Sequence, residues 1–237
     1  MNKKVLVVDY DRTLFINNSD MLNNINSINK FRENGNIFII ATGRTYNSLK
    51  KEIDKYNIEY DYLILNHGSL VIKKDRSTLF HYKIDKNILF NITNYLSKYK
   101  PKSVMYSYYT EDTNDINNPD ISKITIVFQK DIETFKKVMM DIVKKYNNKL
   151  NIYFTQNYEI EIISKETNKS RAIDLLMKKA NFKKENIYTI GDSYTDIDMI
   201  NDYNGSCMEK SIDILKNNKN IKKYSSVSVL IKDILNS

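Results

Sequence analysis

The feature that most constrains the fold is a short apolar run near the start of the chain, Val5-Leu6-Val7-Val8, which stops at Asp9. The run contains no alternating polar residues, a pattern typical of a strand that is buried on both faces of a parallel sheet. Both faces of such a sheet must be covered by helices. We therefore expect an α/β fold in which residue 9 lies at the carboxyl end of a buried strand.

Strands and helices alternate through the outer parts of the chain. Helical spacing of apolar residues predicts a helix over residues 20–34 that ends before Gly35. Its buried face is expected to carry Leu22, Ile25, Ile28 and Phe31. Further strands are predicted over 37–41, 62–65 and 187–190, and further helices from residue 44 to about 55 and over 168–179. This alternation predicts a doubly wound, Rossmann-like parallel sheet.

The middle of the chain has a different construction. All five glycines lie outside residues 76–163, whereas both prolines, Pro101 and Pro119, lie inside. Strands are predicted there over 79–84, 103–109, 121–128, 151–155 and 158–163, and helices over 86–99 and 132–146. Short connections favour antiparallel strands with both helices on one face. We expect residues 1–75 and 164–237 to form an α/β core domain and residues 76–163 an inserted α+β cap domain.

Composition excludes several classes of protein. The only cysteine, Cys207, cannot form an internal disulfide, which fits a reducing cytoplasm, and with two histidines a Cys/His zinc site is excluded. The net charge of +8 comes with no dense block of lysine and arginine, so we expect no nucleic-acid partner. No apolar stretch approaches the ~18 residues of a membrane span, so we expect no membrane partner. The sequence leaves a monomer and a homodimer both open.

Acidic and hydroxyl side chains follow the predicted core strands where these strands end. Asp9 and Asp11 follow the first strand, Thr42 the second, and Asp192 with Asp196 a later one. Ligands of open parallel sheets bind at this edge. Converging carboxylates repel one another unless a cation lies between them, and Mg²⁺ is the expected hard partner for oxygen ligands. A solvated turn or a helix cap is an alternative explanation of any single aspartate, but it does not account for the set.

Four short segments carry these residues in a fixed order: Asp9-Tyr10-Asp11-Arg12-Thr13-Leu14, Ala41-Thr42-Gly43-Arg44, Asn168-Lys169-Ser170 and Gly191-Asp192-Ser193-Tyr194-Thr195-Asp196. They resemble the four motifs of haloacid dehalogenase-like (HAD) phosphatases, the first of which reads D-x-D-x-T-L. An insertion between the second and third motifs is similar to the Cof-type, or IIB, branch of that superfamily. Asn66-His67-Gly68 also resembles the N-G element of this branch, with a histidine intervening.

The resemblance implies an aspartyl-phosphate mechanism. Asp9 is then the nucleophile and Asp11 the general acid and base, while Lys169 neutralises Asp9 and the phosphoryl group. The residues implied in substrate binding are Thr42, Gly43, Arg44, Asn66 and Lys169. Those implied in holding Mg²⁺ are Asp9, Asp192, the backbone carbonyl of Asp11, and Asp196 through a bound water.

Two of these assignments have open alternatives. Asp196 holds a metal-bound water or orients Lys169, or it only caps a helix. Lys169 is the active-site cation, or it is a solvated lysine near a helix start, with Lys165 as a nearby competitor.

The implied function is a Mg²⁺-dependent phosphatase that acts on a small phosphorylated metabolite, with a sugar phosphate as the expected substrate. A phosphotransferase or phosphomutase uses the same intermediate, and sequence does not separate it from a phosphatase. A catalytically idle phosphate-binding regulator is a third alternative. Retention of the nucleophile Asp9 argues against the regulator, because a pure binder has no need for one.

Three positions depart from the family pattern. Arg12 stands where the family usually has glycine, Thr195 where it usually has asparagine, and Glu209 lies in a Met-Glu-Lys-Ser segment where relatives often show M-G-N-A. Specificity is expected mainly from the cap. Candidates are Arg44, Asn66, His67 and the tyrosines Tyr106, Tyr108 and Tyr109, although sheet packing is the favoured explanation of the tyrosines and a simple turn remains open for His67.

Overall fold

The computed structural model describes residues 3–128, 132–154 and 158–236, to which the following account refers. In chain order the strands are β1 (Val5–Asp9), β2 (Ile37–Ala41), β3 (Tyr62–Leu65), β4 (Leu70–Lys73), β5 (Thr78–His81), β6 (Ser103–Tyr108), β7 (Glu111–Thr113), β8 (Ile121–Val127), β9 (Leu150–Phe154), β10 (Glu159–Ser164), β11 (Ile187–Gly191), β12 (Asn204–Met208) and β13 (Lys222–Tyr224). The α-helices are α1 (Asn18–Glu33), α2 (Tyr46–Tyr56), α3 (Lys86–Leu96), α4 (Ile132–Tyr146), α5 (Lys169–Ala180), α6 (Ile197–Asp202), α7 (Asp213–Lys216) and α8 (Val227–Asn236).

The larger of two sheets contains eight of these strands in the order β13-β12-β11-β1-β2-β3-β4-β5. The strands from β13 to β3 run parallel, and β4 and β5 add to one edge in antiparallel orientation. β1 lies in the middle, with Val8 opposite Ile190 of β11. The expected doubly wound α/β fold is confirmed.

Helices cover both faces of this sheet, as the apolar run of β1 requires. Leu6 and Val8 pack into a core formed with α1, α2 and α8, whereas Val5 and Val7 pack into a second core formed with α5 and α6. Adjacent residues of one strand thus lie in different cores, which explains why the run has no polar alternation.

The expected buried face of α1 is wrong at one position. Leu22 is 59% exposed, whereas Met21 is fully buried. Met21, Ile25 and Ile28 follow the four-then-three spacing of one helical stripe, and Leu22 lies about 100° further around the helix.

The smaller sheet has the order β7-β6-β8-β10-β9 and is antiparallel throughout. One of its faces carries Ile124, Ile126, Ile160 and Ile162, which are buried in a separate core together with residues of α3 and α4. The predicted α+β packing of the insertion, with two helices on one face of an antiparallel sheet, is confirmed.

The strand predicted over 79–84 belongs to the larger sheet, which corrects its assignment to the insertion. β5 pairs with β4 across a turn at residues 74–77, with Val71 opposite Phe80. A connection this short joins neighbouring antiparallel strands more readily than strands of different sheets. The predicted strand end at Thr155 lies outside the described residues. With β5 in the larger sheet, the first domain limit falls after residue 81 and not at 75/76, whereas the limit at 163/164 stays a prediction.

Two connections join the sheets, and both touch the turn at residues 66–69. After β5, the Tyr82 N–H donates to the Ser69 carbonyl at 2.7 Å. Before α5, the Thr167 hydroxyl donates to the Gly68 carbonyl at 2.7 Å. Within the described ranges, every helix is too short or too polar to cross a lipid bilayer.

Gly205 marks a close approach between β12 and α6. A Cβ at this position would lie 1.8 Å from the carbonyl oxygen of Ile200.

We expect Gly205→Ala to lower the free energy of unfolding by about 3 kcal/mol, because backbone must move to make room. Gly35→Ala is the matched control: it has open space but a φ of +79°, so it should cost only about 1 kcal/mol. Urea unfolding measures both, and equal losses would contradict the close approach.

Candidate active site

The chain turns sharply where β1 ends. The Leu14 N–H donates to the Asp9 carbonyl at 3.0 Å, and the Phe15 N–H donates to the Tyr10 carbonyl at 2.9 Å. The side chains of Tyr10 and Leu14 are fully buried and anchor the turn in the core. Asp9 is consequently held at the edge of the sheet, while Asp11 and Arg12 lie on the exposed side of the turn.

Lys169 joins this turn to the end of β11. It is the first residue of α5, whose preceding residue Asn168 caps the helix by accepting a hydrogen bond from the Arg171 N–H at 2.7 Å. The Lys169 Nζ donates to Asp9 Oδ1 and to Asp196 Oδ1, each at 2.6 Å. The ammonium is 1% exposed. The structure thus brings Lys169 to Asp9, whereas the competitor Lys165 is exposed.

Burial and charge act in opposite directions on these three groups. Burial raises the pKa of Asp9 well above its usual value, and the nearby Asp196 and Asp192 reinforce this effect against the opposing pull of Lys169. Burial would also raise the pKa of Asp196, but the Lys169 ammonium and the hydrogen bonds from Ser193 together outweigh it and lower that pKa. At Lys169 the two carboxylates outweigh burial and raise the pKa. Lys169 and Asp196 therefore form an ionised pair, and Asp9 carries the less compensated charge.

Three carboxylates converge at this point. Asp9, Asp192 and Asp196 each offer an oxygen atom within 4.8 Å of the others, and all three residues are buried. Burial and the charge of Asp196 raise the pKa of Asp192 to about 6, against the opposing Arg12 guanidinium. Hard oxygen donors crowded in this way form a group that can hold a metal ion.

Asp196 serves two of the purposes considered from the sequence. One oxygen, Oδ1, orients Lys169, and the other accepts hydrogen bonds from the Asp192 N–H at 3.1 Å and the Ser193 N–H at 2.9 Å. It therefore caps the turn after β11 and also fixes the lysine. A side chain at Gly191 would collide with it, because a Cβ there would lie 2.4 Å from the Asp196 Cγ.

Asp11 lies apart from the three carboxylates and pairs with Arg44. The Arg44 Nε donates to Asp11 Oδ2 at 2.9 Å and its Nη2 donates to Asp11 Oδ1 at 2.7 Å. The same guanidinium stacks over the Tyr10 ring at 4.9 Å from its centroid. The hydrogen bonds to Asp11 raise the pKa of Arg44. Arg44 was expected to bind the substrate. In the structure it holds Asp11, the expected general acid and base, in a two-point ion pair.

Thr42 and Gly43 form the neighbouring wall of the site. The Thr42 hydroxyl is buried and accepts a hydrogen bond from the Arg44 N–H at 3.2 Å. The His67 ring packs directly against Gly43, where a Cβ would lie 2.4 Å from the ring. Only glycine leaves space for this ring.

The smaller sheet supplies a group of residues that the sequence did not single out. Lys123 of β8 donates through Nζ to the Gly43 carbonyl at 2.7 Å and pairs with Glu161 Oε1 of β10 at 3.1 Å. The other oxygen of Glu161 lies 2.8 Å from His67 Nε2. The His67 ring also contacts Tyr153 at a centroid distance of 5.4 Å. The two sheets are therefore joined by a charged network beside the acidic group, and His67 is more than a turn residue.

A cavity of about 650 Å³ lies between the two sheets. Its walls include the expected residues Asp9, Asp11, Thr42, Gly43, Arg44, Lys169 and Asp192, together with Met105, Lys123, Thr125, Tyr153, Glu159 and Glu161 of the smaller sheet. Asn66 and Asp196 lie behind the wall, and Asn66 Nδ2 donates to the Ser122 hydroxyl at 3.2 Å. Of the tyrosines singled out from the sequence, Tyr106 is buried in the core of the smaller sheet, as the packing explanation expects.

The amino-acid sequence is similar to those of known hydrolases. The chain matches the model of the haloacid dehalogenase-like hydrolase family over residues 6–119 and 102–226. The chain belongs to this family. The hydrolase is also 25% identical to a Buchnera aphidicola protein named "Putative phosphatase", over 91% of this chain and 87% of the relative.

Two solved structures share the fold of this hydrolase over almost the whole chain. A haloacid dehalogenase-like hydrolase from B. subtilis superposes with a TM-score of 0.84 at 17% identity, covering 97% of this chain and 99% of its own. A sugar phosphatase of HAD subclass IIB superposes with a TM-score of 0.78 at 17% identity, covering 99% and 98%. The recognition of a Cof-type HAD fold from the motifs is confirmed.

Removing the Lys169 charge should expose the repulsion between its two carboxylate partners. We expect Lys169→Met to lower the free energy of unfolding at pH 7 by about 3 kcal/mol in chelator-treated buffer, because Asp9 and Asp196 then lie buried without a cation. Lys165→Met is the matched control and should change stability by less than about 0.5 kcal/mol. Chemical unfolding monitored by circular dichroism measures both, and similar values for the two variants would argue against the buried pair.

The network between the sheets predicts a dependence of stability on pH. Burial alone would raise the pKa of Glu161, but His67 and Lys123 lower it below the usual value of 4.5. A carboxyl whose pKa is lowered by folding stabilises the protein above that usual value, and this contribution is lost as the pH falls below it. We expect Glu161→Gln to cost about 2 kcal/mol at pH 7 and to make the loss of stability between pH 5 and pH 3 shallower.

Glu133→Gln is the control for this prediction, because the Glu133 side chain is 91% exposed. It should leave the urea midpoint unchanged at both pH 7 and pH 4. If the stability of wild type and of Glu161→Gln falls equally between pH 5 and pH 3, Glu161 does not carry the pH dependence.

Proposed function

We propose that this hydrolase is a Mg²⁺-dependent phosphatase that removes the phosphoryl group from a small phosphorylated metabolite through an aspartyl-phosphate intermediate. The observation that carries the proposal is the position of Asp9. Its carboxylate lies at the base of the cavity, 2.6 Å from the Lys169 ammonium and beside two further carboxylates. The name of the Buchnera relative and the subclass of the similar sugar phosphatase support the same activity.

The surroundings of Asp9 suit an incoming phosphate. Lys169 provides a buried positive charge, and Thr42 and Gly43 line the cavity at the start of the loop that leads into α2. Backbone N–H groups ahead of a helix favour anions, and Gly43 has no side chain to block a close approach. The phosphate is thus expected to lie between this loop and Asp9.

The proposed reaction has two steps. An Asp9 oxygen attacks phosphorus, the bond from phosphorus to the leaving oxygen breaks, and Asp11 gives its proton to that oxygen. Asp11 then takes a proton from water, whose oxygen attacks the same phosphorus and releases inorganic phosphate and free Asp9. Because Asp11 forms an ion pair with Arg44 at two points, its carboxyl must leave at least one of these contacts and take a proton from water before it can give one to the leaving group.

The residues present fit a hard dication. Asp9 and Asp192 would supply carboxylate oxygens, with Asp196 close by. The backbone carbonyl of Asp11 is the further ligand that the motif implies. Burial raises the pKa values of Asp9 and Asp192, and crowded negative charge, which a cation relieves, raises them further. A bound Mg²⁺ would neutralise the charge of the phosphoryl oxygens and so ease the approach of the Asp9 carboxylate to phosphorus.

The cavity wall indicates the kind of molecule that carries the phosphate. Thr125, Tyr153, Glu159 and Glu161 of the smaller sheet line the cavity and carry hydroxyl and carboxylate oxygens. Such groups accept hydrogen bonds from hydroxyls. We therefore propose a sugar phosphate as the substrate.

Release of inorganic phosphate tests this proposal. Wild-type enzyme should hydrolyse members of a panel of sugar phosphates and p-nitrophenyl phosphate with Mg²⁺, and chelator should abolish turnover. Asp9→Asn should reduce kcat at least about 1000-fold, because the amide cannot form the intermediate. Asp213 is 80% exposed and pairs with Lys216 at the surface, so Asp213→Asn should retain wild-type rates. Turnover that survives chelator or Asp9→Asn would overturn the mechanism.

A further inference from the structure

Arg12 occupies a backbone position that favours glycine. Its φ of 63° lies in the left-handed region, which side chains other than Asn and Asp seldom adopt. The arginine is nevertheless accommodated, and its guanidinium Nη2 lies 2.8 Å from Asp192 Oδ2. The residue that stands in place of a glycine thus places a cation directly on one of the three converging carboxylates.

Two cations therefore neutralise the acidic group, and they differ in how firmly they are held. Lys169 is 1% exposed and contacts Asp9 and Asp196, both of which are buried. Arg12 is 65% exposed and contacts only Asp192 within the group. An exposed cation loses little when it moves into water, whereas removing the buried lysine would leave two carboxylates without a partner. Arg12 is the cation that can be exchanged.

We propose that Arg12 is a displaceable internal counter-ion of Asp192, which competes with the divalent cation and weakens its binding. The inference rests on the proposed function only in taking Asp192 as a ligand of that cation. The divalent cation and the Arg12 guanidinium bind the same carboxylate, so when one binds Asp192 the other must leave or share this carboxylate. The positive charge of Arg12 opposes the cation even when the carboxylate is shared.

Direct metal binding tests this competition without measuring turnover. Mn²⁺ serves as the probe, because the electron paramagnetic resonance signal of the free ion reports the unbound concentration. Arg12→Asn and Arg12→Gly both suit the backbone at φ 63° and both remove the charge. We expect each to lower the Mn²⁺ dissociation constant about tenfold relative to wild type.

Arg76→Asn is the matched control. Arg76 also has a left-handed φ, 68°, and its guanidinium lies over the Tyr46 ring, away from the cavity. The variant therefore changes the same residue type, backbone region and net charge, and it should bind Mn²⁺ like wild type. Asp192→Asn should abolish this binding and so identifies the site being measured.

The outcomes separate the inference from the proposed function. Tighter Mn²⁺ binding in both Arg12 variants, with Arg76→Asn unchanged, supports the counter-ion. Equal or weaker binding in the Arg12 variants overturns it and leaves the metal site intact, since weaker binding would mean that Arg12 helps to position Asp192. If neither wild type nor the Arg12 variants show Mn²⁺ binding that is lost in Asp192→Asn, both the inference and the metal site of the proposed function are overturned.

Discussion

The ammonium of Lys169 lies between Asp9 and Asp196, and through it three distant parts of the chain meet at one point. Lys169 is 160 positions from Asp9 and 27 from Asp196, and it contacts each at 2.6 Å. Charges buried at this depth stabilise the fold only while each has its partner, because water cannot replace the missing one. The carboxyl ends of β1 and β11 and the start of α5 must therefore come together whenever the protein is folded. The contacts that hold these elements in place are also the ones that orient the Asp9 carboxylate.

Much of the larger sheet was predictable because its strands obey one simple rule. A parallel strand buried on both faces has an uninterrupted apolar run, and the bounds of β2 and β3 agree with those predicted from such runs. The convergence of Asp9 and Asp192 followed from the same rule, since parallel strands deliver their last residues to one edge. The buried face of α1 was predicted wrongly at Leu22. Met21 and Leu22 are adjacent apolar residues, and only packing against the sheet decides which of them is buried.

The residues that escaped prediction depend on contacts between segments far apart in sequence. In β8, Lys123 and Thr125 alternate with the buried Ile124 and Ile126, so the period-two pattern already marked a polar face on this sheet. The pattern does not say what the face meets. The Gly43 carbonyl and His67, which meet it, come from the other sheet. The pairing of Asp11 with Arg44 is likewise invisible in either motif alone, since each motif assigns its residue to the substrate.

The turn at residues 66–69 has a mechanical consequence beyond its polar contacts. The chain passes between the two sheets only twice, within the described residues, and both passages are hydrogen bonded to this turn, one at Ser69 and one at Gly68. A rotation of the smaller sheet against the larger one must bend the chain at these passages, so its axis runs beside His67. Atoms near an axis move least. The His67 side of the cavity would thus keep its shape through such a rotation, and the parts of the rim farther from this axis would open and close the most.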